Sequence, residues 1–81
     1  MDMSDIAVRL ERKFGLGTRP ELRRRLFTRL EDLVEDVGEP AYVCIASAAA
    51  DAEGKDHPGH YFCRVVTTRL KERGIVSIPD F

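Results

Sequence analysis

Proline at the head of an apolar helical pattern and glycine at its end recur along this chain, and that punctuation leaves few folds open. Pro20, Pro40 and Pro58 each lead into a helical run, while Gly15 and Gly17, Gly38, Gly54 and Gly74 close the runs. Proline suits a first helical turn, where its missing N–H has no partner to lose, and glycine takes the left-handed conformation that ends a helix. The pattern predicts four helices, at about 4-14, 19-37, 40-53 and 57-73, and no strand. Connections of two to five residues make successive helices antiparallel or sharply crossed neighbours. The expected fold is all-α, a compact single-domain bundle of four helices over residues 1-81, with a short extended C-terminal tail from Ile75 to Phe81.

The apolar positions assign faces. Ile6, Leu10 and Phe14 mark the first helix, and Ser4 is placed to cap it. Thr18-Arg19-Pro20-Glu21 reads as a capping box for the second, whose stripe is Leu22, Leu26, Leu30, Leu33, Val34 and Val37. Tyr42, Val43, Cys44, Ile45 and five alanines between 41 and 50 leave the third almost no polar face, which predicts a central helix approached on several sides. Phe62, Val65, Val66 and Leu70 line the fourth, capped by Asp56 or His57. Gly74-Ile75 fits a stop in which the residue after the glycine folds back on the last turn.

With 43% hydrophobic and 33% charged residues, the composition is that of a soluble globular chain rather than a disordered one. No apolar run approaches a membrane span, and the acidic start, Met1 to Asp5, is wrong for a targeting signal, so the expected location is cytoplasmic. Cys44 and Cys63 then read as buried free thiols. The net charge of -1 conceals segregation: eight bases against two acids from Arg9 to Arg29, then eight acids against one base from Glu31 to Asp56.

That segregation runs backwards along the second helix. It opens with Arg23, Arg24, Arg25 and Arg29 and closes with Glu31, Asp32, Glu35 and Asp36, whereas a helix dipole favours acids first and bases last. A pattern that opposes its own helix points to use from outside. Two copies packed antiparallel would set base against acid, and each contact would occur twice. These eight residues are the candidate partner-binding set, for a second copy or another protein. Pairing within the chain is the competing expectation.

The fourth helix offers a second surface. His57, His60, Arg64, Thr67, Thr68 and Lys71 fall within about a third of its circumference at 100° per residue, the donor types that grip phosphates. They are the candidate nucleic-acid-binding set, together with the basic cluster of the second helix, although Asp51, Glu53, Asp56 and Glu72 weaken the local field. A helix-turn-helix reader is disfavoured, because the helix after Gly38 would present alanines to base edges.

Catalytic and metal signatures are thin. Cys44, His57, His60 and Cys63 have zinc-ligand chemistry but no close cysteine pair, and Cys63 points about 60° from His60 on a regular helix. Gly15-Leu16-Gly17-Thr18-Arg19 lacks the lysine and preceding strand of a phosphate loop and reads as an interhelical turn. Ser47 and Ser77 have no neighbouring base. No cofactor, metal or small-molecule substrate is expected, and the expected function is a non-enzymatic helical interaction module, with a nucleic-acid-binding accessory domain as the alternative. Pro58-Gly59-His60-Tyr61-Phe62, opening the stretch His57 to Gly74, is similar to a Pro-Gly-x-Tyr-Phe turn and helix in some bacterial and phage replication proteins. The similarity covers under a quarter of the chain, implies DNA association and transfers no residue role.

Overall fold

Two of the four helices start where an X-Pro step forces them to. The structure, a computed structural model, describes residues 5–75. It contains α1 (Ile6–Phe14), α2 (Pro20–Val37), α3 (Glu39–Ala52) and α4 (Pro58–Glu72), an all-α arrangement with no strand among the described residues. Pro20 and Pro58 occupy the first helical position and Pro40 the second. The residue before a proline is pushed out of the helical region, and Arg19 (φ -129°, ψ 67°) and His57 (φ -128°, ψ 74°) accordingly stand outside it.

This start corrects the expected capping box. Arg19, not Thr18, takes the cap position, so Thr18 is one residue out of register and no side chain caps α2 locally. Ser4 lies outside the described residues. Asp5 holds the cap position of α1 in the left-handed region (φ 59°) without a side-chain bond to the helix.

The turns between helices are short and glycine-dependent. Gly38 alone joins α2 to α3: its N–H donates to Val34 O at 2.9 Å, and its carbonyl accepts from Ala41 at 3.1 Å. At φ 89° and ψ -143° a side chain there would be strained. After α4, Gly74 N–H donates to Lys71 O and Ile75 N–H to Leu70 O, both at 3.0 Å, the paired bonds of a Schellman stop. Ile75 packs against the core, as expected of the residue after that glycine. The rest of the expected tail lies outside the described residues.

One core joins all four helices. Phe62 sits in it with Phe14 stacked at 4.8 Å between ring centroids and Phe27 tilted at 6.2 Å. Phe27 is fully buried and was absent from the expected α2 stripe, whereas Leu22 and Val37 at the ends of that stripe are exposed. The signal for Phe27 was present in the i, i+3, i+7 spacing of residues 27, 30 and 34, a second apolar row beside the first. The third helix is less enclosed than expected. Ala41, Cys44, Ile45, Ala48, Ala49 and Ala52 are buried, but Val43, Ser47, Ala50 and Asp51 face outward. Small, good helix formers can occupy an exposed face without a penalty, so alanine content alone does not mark a core position.

Polar contacts fix how the helices run. Lys13 Nζ bonds Glu53 Oε1 at 2.6 Å, linking the ends of α1 and α3. Arg23 lies against Gly59, linking the N-terminal ends of α2 and α4. Arg69 pairs with Asp51 and donates to Ser47 Oγ at 2.8 Å, tying α4 to α3.

Candidate interaction surfaces

Antiparallel packing of α1 on α2 explains part of the backwards charge pattern. The N-terminal end of α1 has no acid in its first turn, and its Ala7 N–H donates to Glu31 Oε2 of α2 at 3.0 Å. At the other end, Arg24 Nε meets Glu11 Oε1 at 3.3 Å, and Arg23 Nη1 donates to the terminal carbonyl of Gly15 at 3.3 Å. Acid thus meets the positive end of the α1 dipole and base the negative end. Charges that oppose the dipole of α2 match that of its antiparallel neighbour.

Three of the eight candidate partner-binding residues, Arg23, Arg24 and Glu31, are therefore engaged within the chain. Arg23 is half-buried, packed between Gly17 and Gly59 and close enough to Cys63 to act on its thiol. The other five, Arg25, Arg29, Asp32, Glu35 and Asp36, are exposed. None of their side chains has a hydrogen bond or ion pair among the described residues. Arg25, Arg29, Asp32 and Asp36 follow at i, i+4, i+7 and i+11 and share an arc of about 60° on the outer side of α2. Arg29, Asp32, Leu33, Glu35 and Asp36, with Ile75, line a shallow depression there.

On α4, His57, His60, Arg64, Thr68 and Lys71 are exposed, but Thr67 is buried, its hydroxyl donating to Cys63 O at 2.7 Å. A threonine hydroxyl satisfied by its own helix lets the methyl face the core, so Thr67 leaves the candidate binding face. His57, His60, Arg64 and Thr68 line an open groove with Lys55 and Tyr61, and the Lys55 ammonium stands 4.9 Å over the Tyr61 ring. Asp56 and Glu72 line the same groove, and Arg69 is held by Asp51.

Both thiols lie inside the core. Cys44 and Cys63 are free and buried, and burial pushes the Cys63 thiol up despite the opposing charge of Arg23. Among the described residues no three His, Cys, Asp or Glu side chains gather where they can hold a metal ion, and no helix is long and apolar enough to cross a membrane. No protein-family model matches the chain, and neither a curated protein nor a solved structure matches it.

Proposed function

We propose that the chain is a small non-enzymatic interaction module that docks a protein through the outer face of α2. The observation that carries this reading is the stripe Arg25, Arg29, Asp32 and Asp36, with Glu35 beside it, without side-chain partners among the described residues, on a helix whose Arg23, Arg24 and Glu31 are used against α1. Two exposed charges of each sign, separated along a rigid helix, select a partner and its orientation more than they add affinity. The association is weak, because exposed ion pairs contribute about 0.2 to 1 kcal/mol each. Two buried free thiols fit a reducing compartment, and we place the protein in the cytoplasm. Sedimentation equilibrium at low and high salt tests the reading. Association that weakens with salt and disappears in a variant carrying Gln at 25 and 29 and Asn at 32 and 36 supports it; a parent monomeric at low salt removes the self-association that is its simplest form.

A second reading is favoured by the α4 groove, which Lys55, His57, His60 and Arg64 line together with Tyr61. Such a surface suits a nucleic-acid backbone, and binding would weaken steeply with salt as counterions are released. The α2 cluster supports it less than its sequence promised, since Arg23 and Arg24 point to α1. Titration of labelled DNA at low salt decides it, and no association there would dispose of it.

A further inference from the structure

The outer stripe of α2 carries a symmetry that names its partner. Arg29 and Asp32 are centred between Leu30 and Glu31, and so are Arg25 and Asp36. Two pairs of opposite charge with one midpoint are what a twofold axis requires, because each residue must meet its complement when the surface is turned onto itself. We infer that the partner is a second copy of this chain, with the two α2 helices antiparallel about an axis passing between Leu30 and Glu31. This rests on the reading of α2 as the docking face.

In that register Arg29 faces Asp32 of the partner subunit and Arg25 faces Asp36 of the partner subunit, giving four opposite-charge contacts from two distinct pairs. Parallel alignment would set each charge against its own kind. An antiparallel register shifted by one turn would leave half of the stripe without a complement. The depression lined by Arg29, Asp32, Leu33, Asp36 and Ile75 gives the partner's arginines a concave seat on the acidic half. None of the four charges has to leave an ion pair or side-chain hydrogen bond to another described residue, so pairing does not compete with those contacts.

Two charge reversals test the register. Arg29→Asp and Asp32→Arg are each compared with the parent by sedimentation equilibrium at about 10 mM salt, where the Debye length is about 30 Å. Each variant alone should self-associate about tenfold more weakly, as two opposite-charge contacts become like-charge ones. Mixed in equal amounts, the two should recover the parent's association, because Asp at 29 then faces Arg at 32. Arg25→Asp mixed with Asp32→Arg should not recover it. A parent that associates while the first mixture fails to recover overturns the register but leaves α2 as the docking face. Reversals that leave self-association unchanged overturn both, whereas a monomeric parent overturns the second copy as the occupant and leaves α2 open to a different protein.

Discussion

The N–H of Ala7 donates to the carboxylate of Glu31 at 3.0 Å, so a residue from the acidic half of α2 caps the helix that precedes it. With nine residues, α1 is shorter than an isolated helix needs to be stable in water, and no side chain of its own caps its first turn. It is held by packing, through Ile6 and Leu10, and by charges supplied from α2. A charge pattern that looks like a defect in one helix is the complement of another.

Arg23 and Gly59 form a second coupling between helices. A methyl on Gly59 would collide with Arg23 Nη1 and would lie 3.2 Å from Phe14 O. Replacing glycine by alanine within a helix ordinarily gains about 0.5 to 1 kcal/mol. Here Gly59→Ala should instead destabilise, because the guanidinium must leave its place beside Gly15 O. In an Arg23→Ala background the same change should cost less, with only the Phe14 carbonyl left in the way. Urea unfolding of the four proteins in a double-mutant cycle measures the coupling, which should reach about 1 kcal/mol.

How much of this was legible depended on range. The Gly38 corner and the Gly74-Ile75 stop are set by residues in direct succession, and both stand where the sequence placed them. The Thr18-Glu21 box failed although each residue fits its role, because Pro20 dictates the conformation of Arg19 and moves the start of α2 by one position. The backwards charges of α2 were visible, but the recipient of Arg23, Arg24 and Glu31 depends on how α1 folds back, which no local pattern encodes. Thr67 illustrates the remaining difficulty: its polar type suggested the surface, while its hydroxyl is satisfied by Cys63 O and its methyl suits the core.

Alanines on α3 differ by face. Ala49 is 2% exposed, so Ala49→Leu should overpack the core at a cost of about 1 to 3 kcal/mol. Ala50 faces outward, and Ala50→Leu should leave thermal stability nearly unchanged. Half-buried Ala46 should fall between them. Thermal melts of the three variants at equal concentration give the ranking.

The buried thiol of Cys63 sets an alkaline limit. Burial raises its pKa in the folded chain, so the unfolded chain loses its proton first as pH climbs. The stability contributed by the protonated thiol is complete below about pH 8.5, the ordinary cysteine value, and declines above it. Unfolding free energies measured by urea at neutral and alkaline pH should fall more steeply for the parent than for Cys63→Ala.

The division of α2 into an inward and an outward set of charges is tested most directly by melting two neighbouring variants, Glu31→Ala and Asp32→Ala, at high dilution where copies do not associate. Loss of the Glu31 cap should cost about 1 kcal/mol and lower Tm by about 4 to 8 °C. Loss of Asp32, exposed and without a side-chain partner among the described residues, should leave Tm within about 2 °C of the parent, in the range of ordinary surface changes. Equal shifts for the two, or a larger one for Asp32→Ala, would contradict the assignment of Glu31 to α1 and of Asp32 to the outer face.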